Sequence, residues 1–205
     1  MMWWAIDYKV IEDAKAFYGD AGFKYIEVPW VVSPGAYNAT APKNGHIAKS
    51  QTVVASGEQS FMQLILDGLL APGKYCCATP CFRPWDSGRS REHLPQFFKV
   101  ELIEHDLKDF NENVKDYLDR YGKMKSLALE FLRQYVPQTT DIKTNDDERL
   151  ECTTHVSHDL VTTWGLELGS YGVRSHAAIG YWIYGTGVAL PRLTSAMSRK
   201  TSSET

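Results

Sequence analysis

Cys81-Phe82-Arg83-Pro84-Trp85-Asp86 and, after a short polar gap, Glu92-His93-Leu94-Pro95-Gln96-Phe97-Phe98-Lys99-Val100-Glu101 decide how the rest of this chain is read. Residues 74–83 form an apolar run that Pro84 breaks, and residues 96–105 resume it. Two such runs predict an antiparallel hairpin. Its connection over residues 84–95 is long and polar, and long connections in compact domains tend to carry function. Arg83 stands where the first strand ends. An arginine there either snorkels into water or offers its planar donors to an anion, which they match two oxygens at a time. A second arginine, Arg192, follows Gly185-Thr186-Gly187-Val188-Ala189-Leu190-Pro191. That is a glycine-rich strand end turning into a helix. Gly185 and Gly187 would let backbone come close to a ligand, and Pro191 suits the first turn of a helix, where its missing N–H costs little.

Working outward, residues 7–18 carry Val10, Ile11, Ala14, Phe17 and Tyr18 on one side of a helix that Gly19 and Gly22 stop. Residues 23–32 read as a strand containing Pro29, which belongs at an edge or a bulge. Residues 33–45 read as a loop, 48–55 as a strand and 59–70 as a helix. Asp109 is the expected N-cap of the longest helix, residues 110–135, and 136–148 a polar connection. Residues 161–174 and 177–184 read as strands and 188–198 as a helix, with a frayed tail at 198–205. Helices interleaved with hairpin-linked strands predict an α+β fold, a mostly antiparallel β-sheet flanked by helices.

The chain has 205 residues, 43% of them apolar and 12% aromatic, enough for a packed core in one domain. Its net charge of −3 argues against broad electrostatic binding of nucleic acid. No apolar run reaches the roughly 20 residues that span a bilayer, and Met1-Met2-Trp3-Trp4 does not read as a signal peptide. Cys76, Cys77, Cys81 and Cys152 read as reduced, core-facing residues of a cytoplasmic protein. Cys152, His155 and His158 have loose metal-ligand spacing without a fourth ligand; the alternative is a strand end carrying ordinary side chains.

In this order, the two arginine segments resemble the second and third signature motifs of the class II aminoacyl-tRNA synthetase catalytic core. The helix, strand and Pro29 near the N-terminus resemble its first motif, which forms a dimer interface in that family. Glu167-Leu168-Gly169-Ser170-Tyr171-Gly172-Val173-Arg174-Ser175-His176 resembles a stretch of aspartyl-tRNA synthetases and of ammonia-dependent asparagine synthetase. The resemblance runs from about residue 7 to residue 197, so residues 1–197 are expected to form one class II synthetase-like catalytic core. No anticodon-binding domain is expected beside it.

The resemblance implies roles for particular residues. Arg83 would grip the α-phosphate and the amino-acid carboxylate, His93 the γ-phosphate, and Phe97 would stack on adenine. Gly185, Gly187 and Arg192 would complete the ATP site. Glu167 and Asp159 would hold Mg²⁺ against the phosphates, as hard oxygen ligands do. Arg174 would bind the side-chain carboxylate of an acidic amino acid, or is a surface arginine on a strand. Ser56 and Glu58 would take the α-amino group, or are an N-cap and a first-turn acid. The chain departs from the family at Trp85, where an acid that helps fix the nucleotide is usual; either Asp86, one step later, takes its place in the ATP site through a bulged loop, or nucleotide binding is altered. Ala189 and Pro191 are further departures.

These expectations give a homodimeric enzyme that uses ATP and Mg²⁺ to convert an amino-acid carboxylate to an aminoacyl-adenylate. The acceptor could be tRNA, a carrier protein, ammonia or another small molecule. The rival expectation is a catalytically weakened paralogue that binds nucleotide or amino acid as a sensor or partner protein. Direct tRNA binding by the core is a third, which the charge balance helps little.

Overall fold

A computed structural model describes residues 6–41, 47–86, 93–106, 111–144 and 151–202. Their strands form a seven-stranded sheet in the order β1-β4-β5-β9-β8-β7-β6 and a two-stranded ribbon β2-β3. The long strands are β4 (Gly73–Phe82), β5 (Gln96–Asp106), β7 (Thr153–Thr162), β8 (Glu167–His176) and β9 (Gly180–Leu190). The short ones are β1 (Lys24–Tyr25), β2 (Val31–Val32), β3 (Thr52–Val53) and β6 (Thr139–Lys143). Every pairing in the large sheet is antiparallel except β1 with β4. The helices are α1 (Tyr8–Asp20), α2 (Pro34–Thr40), α3 (Gly57–Leu66), α4 (Val114–Tyr135) and α5 (Arg192–Ser202).

Local chemistry sets the helix ends. The Asp7 carboxylate accepts the backbone N–H of Lys9 and Val10 and so caps α1. Gly22, at φ 90°, turns the chain out of that helix. Ser33 caps α2, with Pro34 at its first position, where sequence reading expects a loop. Asn113 precedes α4; the expected cap Asp109 lies outside the described residues. The polar connection after α4 contains the edge strand β6. Residues 153–160, not anticipated as a strand, belong to β7. The expected strands around Pro29 and Val54 shrink to the two-residue strands of the ribbon and β1. The expected frayed tail instead begins as the last turns of α5, which runs to Ser202.

Alternation sorts the strand residues onto two faces. Cys76, Val100, Leu102, Tyr171 and Val188 face α1 and α4 in one buried cluster. Cys77, Ile103, Trp182 and Tyr184 face the other way, into a second cluster with Phe61 and Met62 of α3. The adjacent cysteines thus point to opposite sides, as adjacent strand residues must. All four cysteines are free and buried. Burial pushes the Cys76 thiol up to about 11 and Cys81 to about 12, so neither is a nucleophile near neutral pH. Cys152 lies in the second cluster, His155 is hydrogen-bonded to Ser175, and His158 meets Tyr121 of α4. Among the described residues no cluster of three His, Cys, Asp or Glu side chains is placed to hold a metal ion.

Gly185 and Gly187 serve the helical side of the sheet. A Cβ at Gly185 would lie 2.7 Å from Tyr171 and 2.9 Å from Met124 of α4. One at Gly187 would lie 2.8 Å from Tyr18 of α1, whose hydroxyl donates to the Gly187 carbonyl at 2.9 Å. The room made by the absent side chains, expected to open toward a ligand, is filled by the aromatic layer beneath the sheet.

Candidate functional site

The second face of the sheet carries α2 and α3 on the side of β4 and β5, and toward β8 and β7 it carries polar side chains. On β5, Phe98 and Val100 turn to the helical layer, so Phe97, Lys99 and Glu101 turn to this second face. Glu101 pairs across the ladder with Thr186, whose hydroxyl accepts the Ser170 N–H, and Ser170 pairs with Asp159. A polar row therefore crosses β5, β9, β8 and β7.

Arg83 stands at one end of this face. Its backbone N–H donates to the Pro95 carbonyl at 2.7 Å, closing the base of the long loop. Its Nε donates to the Ala55 carbonyl at 2.8 Å, and its guanidinium lies 5.1 Å from the Phe97 ring centroid. Held at Nε and against the ring, the guanidinium keeps its two terminal nitrogens without a hydrogen bond to any described residue. These are the nitrogens that grip phosphate or carboxylate two oxygens at a time. His93 lies half-buried where the chain re-enters toward β5. Asp86 ends a single 3-10 turn, Pro84–Asp86, and its side chain lies outside the described residues. Trp85 packs against the second cluster.

Arg192, the first residue of α5, meets Glu167 at 2.8 Å. Asp159 stands beside them. Burial, and then the Glu167 charge, push its carboxyl up to about 6, against a Ser170 hydrogen bond and the Arg192 charge that act the other way. A carboxyl group pushed up in this way beside a second carboxylate suits a divalent cation whose remaining positions are filled by water or phosphate oxygens. The donor set is too small for a closed protein cage, which fits Mg²⁺ shared with a substrate.

The other end of the face is built around Glu58. Ser56 caps α3, and Gly57 lets the helix end settle onto the sheet. A Cβ there would lie 2.6 Å from Thr79, 2.8 Å from Glu101 and 3.1 Å from Cys77. That close approach puts the buried Glu58 carboxylate against β8 and β9. One oxygen meets Arg174 Nη1 at 2.6 Å, and the other accepts the Trp182 indole N–H at 2.7 Å. The Arg174 guanidinium lies 3.8 Å from the Tyr184 ring centroid. Burial works against its charge, and the Glu58 carboxylate outweighs that and holds the group firmly protonated. The Ser56 hydroxyl donates to Glu101 at 2.5 Å, and Lys99 meets the same Glu101 oxygen at 2.7 Å.

Seven of the candidate side chains thus lie on one side of the sheet, in three groups: Arg83 with Phe97, Arg192 with Glu167 and Asp159, and Arg174 with Glu58; Ser56 caps α3 beside the third. Arg174 is neither a surface arginine nor an unengaged one, because Glu58 already holds it. Sequence reading misses Lys99, Glu101, Trp182 and Tyr184. The first two leave a signal: charges at alternate positions after Phe97, set between the apolar Phe98, Val100 and Leu102.

No protein-family model matches the chain, and no curated protein matches it. Solved structures do. A pyrrolysyl-tRNA synthetase from Desulfitobacterium hafniense superposes with a TM-score of 0.67 at 15% identity, covering 94% of this chain and 68% of that one. Seryl-tRNA synthetase from Pyrococcus horikoshii, complexed with ATP, gives 0.71 at 14% identity, covering 93% of this chain and 49% of that one. A cytoplasmic serine-tRNA ligase from Naegleria fowleri, in complex with AMP, gives 0.65 at 15% identity, covering 90% and 46%. The chain spans about half the length of these seryl enzymes. At such identities the likeness is one of fold: this chain has a class II synthetase-like α+β fold.

Proposed function

We propose that the chain is an AMP-forming ligase core that activates an amino-acid carboxylate with ATP and Mg²⁺. The observation that carries this reading is the arrangement of three arginines on one sheet face, with an acidic pair beside the second of them. A carboxylate oxygen of the amino acid attacks the α-phosphorus. The bond from that phosphorus to the oxygen bridging the β-phosphate breaks, and aminoacyl-adenylate and pyrophosphate form. Arg83 neutralises charge on the α-phosphate and the attacking carboxylate. Phe97 supports adenine, and His93 and Arg192 meet the far phosphates. No protein nucleophile is needed, since positioning and fixed charge supply the catalysis. Glu167 and Asp159 would hold Mg²⁺, which when bound neutralises phosphate charge. Two of the superposed structures contain ATP or AMP, which supports a nucleotide ligand.

Exposed apolar residues support a homodimer: Trp30 and Val31, each 50% exposed, lie on the segment that resembles the family's first motif, and Val53, 43% exposed, pairs with Val31 across the ribbon. Among the described residues no helix is long and apolar enough to cross a membrane. The acceptor of the activated group is tRNA, a carrier protein, ammonia or a small molecule. A second reading, binding without turnover as a sensor or partner protein, is favoured by Trp85, which fills core space where the family motif has an acid.

Pyrophosphate exchange driven by a panel of amino acids separates the two. Exchange with the wild-type chain and its loss, by about a hundredfold or more, in a folded Arg83→Ala variant supports activation. ATP binding with no exchange under any amino acid supports the sensor. Full exchange in Arg83→Ala would remove Arg83 from the reaction.

A further inference from the structure

We infer that this site takes an amino acid with an uncharged side chain, and that Glu58 excludes aspartate and glutamate by keeping Arg174 occupied. The inference rests on the activation reading above and names its substrate class. It reverses what the sequence around Arg174 suggests.

Glu58 is fixed from three sides. It lies in the first turn of α3, where the helix N-terminus favours a negative charge. The close seat of Gly57 on the sheet sets its height. Both carboxylate oxygens are used, one by Arg174 and one by Trp182. Arg174 is fixed as firmly, between Glu58 and the Tyr184 ring. The side chains of the pair are only 13% and 10% exposed, so water screens little of their attraction. Next to them lies a second pair, Lys99 with Glu101, whose side chains are 12% and 6% exposed. Each pair cancels its own charge.

A zwitterionic amino acid with a neutral side chain adds no net charge to such a surface. An acidic side chain adds one. To reach Arg174 it must displace Glu58, which leaves a buried carboxylate unpaired, or sit beside it, which puts two carboxylates on one guanidinium. Both are strongly unfavourable in a water-poor site. A basic side chain meets the same objection from Arg174. Trp182, fully buried, and Tyr184, 6% exposed, hold the pair from the core side, one by the indole N–H on Glu58 and one by its ring against Arg174. Discrimination of this kind works by repulsion of the wrong ligand as much as by attraction of the right one.

The test is amino-acid-dependent pyrophosphate exchange with the wild-type chain, Glu58→Gln and Glu58→Gln/Arg174→Met, over the full panel of proteinogenic amino acids. Wild type should be driven best by an amino acid with an uncharged side chain. In Glu58→Gln, KM for aspartate or glutamate should fall by about tenfold or more relative to wild type, and the double variant should lose that gain. A merely structural role for Glu58 would lower exchange with every amino acid alike, and that pattern would overturn the proposal. Wild-type exchange driven best by a charged amino acid would overturn it while leaving activation intact. ATP binding without exchange under any amino acid would overturn both. The wild-type panel stands even if the variants do not fold.

Discussion

Removing the Glu58 carboxylate should be among the most destabilising single changes on this face. Glu58→Ala takes away the counter-ion of Arg174 at 2.6 Å and the acceptor of the Trp182 indole at 2.7 Å. The guanidinium cannot lose its proton, and its Nε is already buried without a hydrogen-bond partner. Breaking a buried ion pair from one side costs about 3–5 kcal/mol. An orphaned buried donor costs about 1–3 kcal/mol, but the two losses share one carboxylate and are not additive. A net loss of about 4 kcal/mol is expected. For a chain of this size each kcal/mol moves Tm by about 2–4 °C, so the variant should melt roughly 8–16 °C lower. Urea unfolding and differential scanning calorimetry read the two quantities. Glu58→Ala/Arg174→Met removes both charges and should recover part of the loss, giving a clear coupling in a double-mutant cycle with the two single variants. A Glu58→Ala chain that loses less than about 1 kcal/mol would show that Arg174 is adequately solvated without its partner, and the case for a neutralised pocket would fall with it.

Two other outcomes follow from the geometry. Gly187→Ala should destabilise by about 1–2 kcal/mol, because overpacking against Tyr18 and Val100 outweighs the entropy gained by restricting the unfolded chain; a more stable variant in urea would show that α1 can yield. Asp159 is raised from 3.8 to about 6, first by burial and then by Glu167. The folded chain therefore keeps a proton that the unfolded chain has lost. The stability this group contributes is complete at low pH, falls as pH rises from about 4 to about 6, and stays lower above that. Asp159→Asn should abolish this decline, so its stability relative to wild type should rise across the same window; a difference that does not vary with pH would remove the shift. Because a metal needs the ionised carboxylate, affinity for Mg²⁺-nucleotide should strengthen over the same range.

The antiparallel hairpin of β4 and β5 and the long helix were legible in the sequence because each has a strong local cause, apolar strand residues and a helical stripe from Tyr117 through Phe131. The last helix was read too early: residues 188–190 belong to β9, which carries Gly185 and Gly187 inside it, and α5 begins at Arg192. The ribbon was read too long. Val31, Val32, Thr52 and Val53 favour strands locally, but pairing sustains only two residues on each side. β7 was missed in part because polar His155, Ser157 and Asp159 interrupt its apolar pattern, and these are residues a site-bearing face must carry. At the site, Arg83, Phe97, Glu167 and Arg192 could be named from motifs. That Glu58 would take Arg174 could not. The two stand 116 positions apart in the chain, and only the seat of Gly57 on the sheet brings them together. The direction in which Gly185 and Gly187 open was equally hidden, since spacing does not say which face of a strand a missing side chain vacates.

A crystal structure of the chain with a non-hydrolysable ATP analogue and Mg²⁺ tests the central claim most directly. The triphosphate should lie between Arg83 and Arg192, with adenine against Phe97 and Glu167 released from Arg192 toward the metal. A nucleotide bound on the helical side, or on this face without contact to either guanidinium, would contradict the assignment.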